Sequence, residues 1–317
     1  MARALVITNP AAARTDARAV TAIRETLRSG GWTVEVQATA RPGDARRFAR
    51  EARDAGVDVL VCYGGDGTAM QMAASVVGSG VALGIVPGGT GNLLAGNLRL
   101  PRTPAAAARV ILRARPLALD LGIVDRPDEP HYFAVCSGAG FDARLMAATP
   151  GAMKRRWKMG AYVARAFAAL PHVRSTRYRV TVDGVARELP AALVLIANCG
   201  ELFPPFMRLR HNVAPDDGWF DVLTLDANGT FESLAAFAEL LRGSWNGTRV
   251  SEQREGRRLW FARGRTIRVE ALGVTGQPVQ LDGEVCGETP FEARLLPGAL
   301  SVLVDHDRLP TIRGRRG

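Results

Sequence analysis

The chain has 317 residues, of which 47% are hydrophobic and 23% are charged, and it carries a formal net charge of +10. This length and balance suit a folded soluble protein of one or two domains, and no apolar run reaches the roughly 18 residues of a membrane-spanning helix. The positive charge either favours an anionic partner, such as a nucleotide or a membrane surface, or reflects an arginine-rich composition. No zinc finger, RNP-like strand or basic zipper occurs in the sequence, so we expect no nucleic-acid partner.

The cysteines indicate a reducing compartment. The four of them lie far apart and form no Cys-x-x-Cys pair of the kind that binds zinc or performs redox chemistry. Cysteines that follow strand-like runs are more often small core residues. Because residues 1–7 lead directly into a predicted strand, we expect no signal peptide and a cytoplasmic protein.

The first third of the chain predicts an α/β domain at residues 1–122. Predicted strands alternate with predicted helices, which implies a parallel sheet with right-handed crossovers. The strands are expected at 3–9, 32–39, 57–63, 82–87 and 117–124, and the helices at 16–29, 43–55, 69–77 and 101–114.

Two glycine-rich loops follow buried strands of this domain. Gly64–Thr68 comes after strand 57–63, and Gly88–Asn92 comes after strand 82–87. Glycine allows backbone N–H groups to approach a ligand, and a helix N-terminus favours an anion such as phosphate. The two loops are expected to face each other across a crevice at the carboxyl edge of the sheet, with Asn9 and Thr39 at the same edge.

The first loop contains Asp66, which a simple phosphate loop would not need. Neither the Lys-Ser/Thr ending of a Walker A motif nor the Gly-x-Gly-x-x-Gly spacing is present. A carboxylate repels bare phosphate, so Asp66 suggests either a metal bridge or proton transfer. The alternative is an ordinary α/β turn in which Asp66 is the helix N-cap.

From residue 131 the predicted strands follow one another at close spacing, which predicts a mainly antiparallel β domain at 123–305. A basic tail at 306–317 is expected to be disordered. The sequence leaves open whether the last strands return to the first domain. Strands are expected at 131–137, 176–182, 188–198, 209–213, 219–225, 259–262, 265–271 and 279–282, with two more before Asp305, and helices at 152–170 and 230–242.

A basic stretch lies at 143–182, with nine arginines and lysines and no acid. Within it, Met159, Val163 and Phe167 fall on one face of the predicted helix. Such a helix either rests on an anionic bilayer or packs into the protein with a solvated basic side.

The combination of Gly64–Thr68 with Pro87–Asn92 resembles the diacylglycerol kinase catalytic domain family, which includes sphingosine kinases and bacterial lipid kinases. Further matches follow in the family's order from about residue 3 to 305. They are Asn9-Pro10, Gly138–Asp142, Ala214–Gly218 and Leu281–Glu284.

The resemblance implies an ATP- and Mg²⁺-dependent kinase of an NAD kinase/diacylglycerol kinase-like fold. It implies that Glu284 is the proton acceptor and that Asp282 and Asp66 help hold the catalytic Mg²⁺ through water. The resemblance also implies a structural Mg²⁺ at the Asp217 side chain and the carbonyls of Ala214 and Trp219. Without the resemblance, the segment at 214–219 is interpreted as a polar turn. Asp282-Gly283 is then interpreted as a common hairpin turn. The implied ATP-binding residues are Asn9, Thr39, Gly64, Gly65, Asp66, Gly67, Thr68, Ala69, Met70, Thr90 and Asn92.

The implied acceptor is a membrane lipid, with diacylglycerol first, and the implied location is cytoplasmic with peripheral contact to an anionic membrane; a homodimer is left open. The apolar, stiff run at 203–207 departs from the glycine-rich stretch expected there, which affects the identity of the acceptor more than the kinase assignment. The alternatives are an NAD kinase-like enzyme, which shares Gly64–Gly67, and a non-catalytic lipid- or nucleotide-binding regulator. The Leu281–Glu284 and Pro87–Asn92 motifs argue against the first, and the intact Asp66 and Glu284 argue against the second.

Overall fold

A computed structural model describes residues 1–127, 129–147, 168–203, 207–209, 213–246 and 258–309. The chain divides into two compact units: one contains Met1–Asp120 together with the chain from Pro297, and the other contains Leu121–Leu296. The sequence places the division near residue 122; in the structure the chain returns to the first unit at Pro297. The predicted helix at 152–170 and the predicted tail lie mostly outside the described residues.

The first unit is built around a parallel sheet. Its strands are β1 (Arg3–Thr8), β2 (Thr33–Ala38), β3 (Val59–Gly64), β4 (Ala82–Pro87) and the last residues of β18 (Phe291–Val304). Strands β2, β1, β3 and β4 lie side by side in that order, and each neighbouring pair is parallel. The end of β18 lies parallel to β4, with Val302 opposite Leu83. The predicted α/β domain with a parallel sheet is therefore confirmed.

The described residues of the first unit contain five helices. They are α1 (Ala17–Ser29), α2 (Asp44–Asp54), α3 (Asp66–Val76), α4 (Leu93–Asn97) and α5 (Pro104–Arg113). Helix α1 packs against α5, and α2 packs against α3. The helix predicted from residue 101 begins at Pro104 instead, because Thr103 is its N-cap and proline fits the first helical position, where no N–H bond is needed.

Burial explains the sequence pattern of the central strands. Every residue of β3 and β4 is buried, as expected for parallel strands that are covered on both faces. Val61 lies in one core cluster with Ile23 and Leu27 of α1 and Ile111 of α5. The Ile111 side chain packs directly against β4 at Gly84. A Cβ atom at Gly84 would lie 2.9 Å from the Ile111 Cδ1 atom, so a larger residue there would displace Ile111.

The second unit is mainly antiparallel, as the close strand spacing predicts, and this prediction is confirmed. Its strands are β5 (Arg115–Val124), β6 (His131–Phe133), β7 (Cys136–Gly140), β8 (Thr176–Val182), β9 (Val185–Ala191), β10 (Leu193–Ala197), β11 (Glu201–Phe203), β12 (Met207–Arg208), β13 (Phe220–Leu225), β14 (Leu259–Gly264), β15 (Thr266–Leu272), β16 (Pro278–Leu281), β17 (Glu284–Glu288) and the start of β18; β5 begins in the first unit.

These strands form two larger sheets and a small one. One sheet has the order β18–β15–β8–β9, with β5 and β6 paired beside it, and another has the order β14–β13–β10–β7–β16–β17. Within the described ranges, strands β11 and β12 pair only with each other. The second unit also contains helices α6 (Phe141–Ala147) and α7 (Gly229–Asn246), and short 3₁₀ turns lie at Leu170–His172 and, in the first unit, His306–Arg308. Phe133 and Phe220 stack in the core with ring centroids 5.4 Å apart.

The single strand predicted at 188–198 is wrong, because this stretch contains two strands of different sheets. Strand β9 pairs with β8, whereas β10 pairs with β7 and β13. Ala192 lies between them: its N–H group donates to the Leu225 carbonyl at 2.7 Å, and its own carbonyl accepts from Phe141 at 2.8 Å. A continuous apolar run cannot show this change, because the partner strands are distant in sequence. The strand predicted at 209–213 lies partly outside the described residues.

Candidate active site

The two glycine loops are in direct contact. The Gly88 N–H group donates to the Gly64 carbonyl at 2.7 Å. A Cβ atom on Gly89 would lie 2.6 Å from the Cα atom of Gly65, closer than side chains approach backbone atoms. Glycine at position 89 is therefore required for this contact, and the loops form one continuous backbone surface at the ends of β3 and β4.

The segment after β1 joins this surface. Asn9 donates from Nδ2 to the hydroxyl of Thr68 at 3.1 Å, and its Oδ1 atom accepts from the Ala11 N–H group. The Arg14 N–H group donates to the Gly88 carbonyl at 2.9 Å, and the Tyr63 hydroxyl donates to the Arg14 carbonyl. Asn9 and Thr68 are thus brought together, as their common place in the implied ATP site requires.

The remaining polar residues implied in the ATP site differ in whether their side chains are already bound within the protein. They are Thr39, Thr90 and Asn92. Thr39 follows β2, where its N–H group donates to the Thr8 carbonyl at 2.9 Å, and both Thr39 and Thr90 are half-buried. The Asn92 side chain is bound to its own loop, because Oδ1 accepts from the Gly89 N–H group at 2.9 Å and Nδ2 donates to the Gly89 carbonyl at 2.7 Å. The Asn92 amide therefore holds the shape of the loop.

Asp66 belongs to the first loop, and its side chain reaches the helix that follows the second loop. It is the first residue of α3, and Gly65 is the N-cap, so the alternative that Asp66 caps the helix is wrong; helix α3 also begins three residues earlier than predicted. A glycine takes the extended cap conformation easily, and an acid is favoured in the first turn. The Asp66 Oδ1 atom accepts from the Leu94 N–H group of α4 at 3.2 Å.

The surroundings of Asp66 disfavour the ionised form of its carboxyl group. Burial raises the pKa of the Asp66 carboxyl above its ordinary value, although hydrogen bonds from the backbone at Leu93, Leu94 and Asn92 act in the opposite direction. Asp66 as a whole residue is half-buried. A nearby cation would offset the cost of its partial burial.

This part of the first unit fits a nucleotide with its divalent cation. No side chain caps the N-terminus of α3, in contrast to α1, where Asp16 accepts from the Ala19 N–H group at 2.7 Å. The uncapped N–H groups of α3 and its positive dipole end are suited to phosphate. The Asp66 carboxylate supplies an oxygen ligand of the kind that Mg²⁺ prefers.

In the second unit, Glu284 is exposed at the start of β17. The turn before it contains Asp282 and Gly283, both with positive φ angles, 47° and 88°. Such angles are typical of a tight two-residue hairpin turn, and Leu281 lies opposite Glu284 in the register of β16 and β17. The position leaves the Glu284 carboxylate accessible to a reactant.

The Asp282 carboxylate accepts hydrogen bonds from the backbone of the protein. Its Oδ2 atom accepts from the Ala134 N–H group at 2.7 Å, and its Oδ1 atom accepts from Val135 at 2.9 Å and from Cys136 at 2.8 Å. These consecutive donors lie between β6 and β7 and at the start of β7. The sequence did not indicate this arrangement, because the donors lie about 146 residues before the acid.

The segment at 214–219, where the resemblance implies a structural Mg²⁺, is bound by an arginine of strand β14. The Arg263 guanidinium binds Oδ2 of Asp217, and Oδ1 accepts from the Trp219 N–H group at 3.0 Å. The Arg263 Nε atom also lies 3.5 Å from Asp221 Oδ2. Arg265 stacks on Trp219, 4.6 Å from the ring centroid.

As placed, Asp217 does not fit a metal ligand, because both of its oxygens are engaged and a cation already faces it. In the part of the chain that the structure describes, no three His, Cys, Asp or Glu side chains are grouped closely enough to hold a metal ion. Sequence reasoning missed Arg263, because its position opposite Asp221 follows from the register of β13 and β14, which the sequence alone does not show.

The described bases of the 143–182 stretch make contacts within the protein. Arg179 pairs with Glu188 at 2.7 Å, and Arg177 lies 3.5 Å from the same acid. Arg144 donates to Gln277, and Arg174 donates to backbone carbonyls. Among the described residues, no helix is long and apolar enough to cross a membrane.

Comparisons with known proteins agree with these features. Residues 3–124 match the model of the diacylglycerol kinase catalytic domain, and residues 135–304 match the YegS C-terminal NAD kinase beta sandwich-like domain. A Chromohalobacter salexigens protein named "Probable lipid kinase YegS-like" is 30% identical over 286 residues, which cover 86% of this chain and 85% of the relative.

Two further comparisons bear on the family and the fold. A Mycobacterium tuberculosis protein named "Diacylglycerol kinase" is 28% identical, with 82% of this chain and 81% of the relative covered. A crystal structure of a diacylglycerol kinase from Bacillus anthracis has the same fold, with a TM-score of 0.72, 21% identity and coverage of 96% and 97% of the two chains. The chain therefore belongs to the diacylglycerol kinase-like family of lipid kinases.

Proposed function

We propose that this protein is an ATP- and Mg²⁺-dependent kinase that transfers the γ-phosphate of ATP to a hydroxyl group of a membrane lipid, with diacylglycerol as the first candidate. The observation that carries the proposal is the direct contact of the two glycine loops, together with the bond from the Leu94 N–H group after the second loop to Asp66 of the first. The name of the Mycobacterium tuberculosis relative supports the choice of acceptor.

The first unit supplies donor binding in this proposal. The uncapped N–H groups of α3 and the backbone of the loop at Gly89 would bind the phosphate chain. Asn9 keeps the Thr68 hydroxyl in place at the edge of this surface. Asp66 would hold Mg²⁺, and the bound ion would neutralise charge that develops on the phosphates.

The second unit supplies proton transfer. Glu284 accepts the proton of the lipid hydroxyl. The hydroxyl oxygen forms a bond to the γ-phosphorus as the bond from that phosphorus to the oxygen it shares with the β-phosphate breaks, and ADP leaves with that oxygen. The exposed position of Glu284 at the start of β17 supports this role.

We further propose that the enzyme meets its acceptor at an anionic membrane surface. Support comes from the net charge of +10. The basic stretch at 143–182 is the candidate region for this contact; its described bases also bind groups within the protein, and residues 148–167 lie outside the described residues. Sedimentation with phosphatidylglycerol vesicles, and with phosphatidylcholine vesicles as the neutral control, tests this. Equal sedimentation with both would contradict it.

The function is tested by phosphate transfer from γ-labelled ATP into a total lipid extract, with NAD as a parallel acceptor. Wild-type protein is compared with Glu284→Gln and with Glu288→Gln, a control on the same strand. We expect label in a lipid with the wild type and the control but not with Glu284→Gln, because glutamine cannot accept the proton. ATP binding should be retained in all three.

The other outcomes separate the alternatives. Label in NAD alone would assign the chain to a metabolite kinase. No transfer to either acceptor, with ATP still bound, would support a binding protein on the same scaffold. Full lipid transfer by Glu284→Gln would contradict the assignment of Glu284 as the proton acceptor.

A further inference from the structure

We propose that Asp282 is a positioning residue for Glu284 and not a ligand of the catalytic metal: its carboxylate fastens the β16–β17 hairpin to the backbone at residues 134–136. This inference rests on the proposed function for its catalytic meaning. The contact itself exists independently of that function.

The hairpin turn is fastened by both the backbone and the side chain of Asp282. The Asp282 N–H group donates to the Cys136 carbonyl at 2.9 Å, while the carboxylate accepts three N–H groups at 2.7–2.9 Å. Bonds of this kind, with an ionised acceptor, are shorter and stronger than neutral ones. The next residue of the turn is also held, because the Gly283 N–H group donates to Gln280 Oε1 at 2.8 Å.

The backbone that receives Asp282 is itself fixed. Ala134 and Val135 are 0% and 1% exposed. The Ala134 carbonyl accepts from the Asn198 side chain at 2.8 Å, and the Val135 carbonyl accepts from the Asn198 and Cys199 N–H groups. This segment is therefore held through its carbonyls on one side and through its N–H groups by Asp282. Glu284 lies two residues after Asp282, which makes these bonds.

The hydrogen-bond geometry separates the two roles of an acid at position 282. A ligand of Mg²⁺, direct or through water, must direct carboxylate lone pairs at the ion. Here both oxygens of Asp282 are directed at buried backbone donors, and release of the carboxylate would leave those donors without their acceptor at a desolvation cost. The structure thus assigns the carboxylate to the turn.

The experiment is a double-mutant cycle with Asp282→Asn and Glu284→Gln, with Glu288→Gln as the control. Asparagine keeps the size of the side chain but places an NH₂ group against N–H donors. We expect Asp282→Asn to lower kcat by about 10²-fold, while KM for ATP and the Mg²⁺ concentration for half-activation change by less than about threefold. The double variant should lose no more than about threefold beyond Glu284→Gln, because residues that act as a unit are not additive.

Additive losses, or a Mg²⁺ requirement raised more than about tenfold, would overturn the proposal and restore the metal-ligand role. Amide hydrogen exchange gives a second measurement that does not need activity or a variant. In wild-type protein the amides of residues 134–136 should stay protected when Mg²⁺ and a non-hydrolysable ATP analogue are added. Loss of their protection would show that the carboxylate leaves them for the ion.

Failure of the proposed function gives a different result. If wild-type protein transfers phosphate to no lipid, the kinase proposal fails, and the hydrogen-exchange comparison of wild type with Asp282→Asn alone decides whether Asp282 fastens the hairpin. Exchange at residues 134–136 should then rise at least about tenfold in Asp282→Asn and not in Glu284→Gln. Unchanged exchange would overturn the anchoring role.

Discussion

Replacing Arg263 with glutamine removes the cation that faces Asp217 and Asp221. The Asp221 side chain is only 7% exposed, so its charge depends on a partner, whereas the Arg263 side chain is 43% exposed and its contribution is reduced by solvent. Hydrogen bonds to charged groups contribute about 1.5–3 kcal/mol when buried, and the exposure of Arg263 lowers the expected loss in Arg263→Gln to about 1–2 kcal/mol.

The loss is measured as a change in Tm by circular dichroism on nucleotide-free protein. For a unit of this size, 1 kcal/mol shifts Tm by about 2–4 °C, so we expect a decrease of about 2–8 °C. The matched control is Arg268→Gln, which removes an ion pair with Glu270 on strand β15 and is expected to change stability by less than about 1 kcal/mol.

The same measurement tests whether this segment needs a metal. Because a guanidinium already neutralises Asp217, EDTA should leave the wild-type Tm unchanged, and Mg²⁺ should not raise it. The reasoning is refuted if EDTA lowers the wild-type Tm by as much as Arg263→Gln does, or if Arg263→Gln has no effect on stability. The first result would show that an ion supports the segment before β13, and the second would show that Arg263 does not.

Three further predictions concern the first unit and the buried thiols. Gly89→Ala should weaken ATP binding at least about tenfold, measured by calorimetry, because its Cβ would meet the Gly65 backbone; unchanged affinity would contradict the loop contact. The folded-state pKa of Asp66 is raised, so its ionisation opposes folding as pH rises above its ordinary value of 3.8. Asp66→Asn should therefore raise Tm at pH 7 but not at pH 3.5, and an equal difference at both pH values would refute this. Burial raises the pKa of Cys62 to about 12 and that of Cys199 well above its ordinary value, so iodoacetamide at pH 8 should label both only in guanidinium, as read by peptide mass spectrometry.

The common location of the two glycine loops was predictable because both follow fully buried strands of a parallel sheet, whose carboxyl ends share one edge. Their direct contact was not, because the sequence predicts a crevice between them. The start of α3 was predicted three residues late, because the first turn of the helix is made of the loop residues themselves. Local sequence gives little information on whether Asp66 ends a turn or begins a helix when a glycine precedes it.

Long-range partners were not predictable. The bonds from Asp282 to residues 134–136 and from Arg263 to Asp217 depend on which strands are neighbours in the sheet, and that register is set by tertiary packing. The change of sheet at Ala192 has the same cause. Sequence reasoning identified the acids and their loops, but it did not indicate which of their oxygens the protein already uses.

The course of β18 affects how the protein is made in the cell. The first unit lacks the strand beside β4 until residues 297–304 have been synthesised, after the 176 residues of Leu121–Leu296. At 5–20 residues per second the ribosome needs roughly 10–35 s to add them. During that time the backbone edge of β4 has no partner strand, and an open edge of this kind pairs readily with other chains. A nascent chain arrested before Pro297 should therefore depend on chaperones to stay soluble.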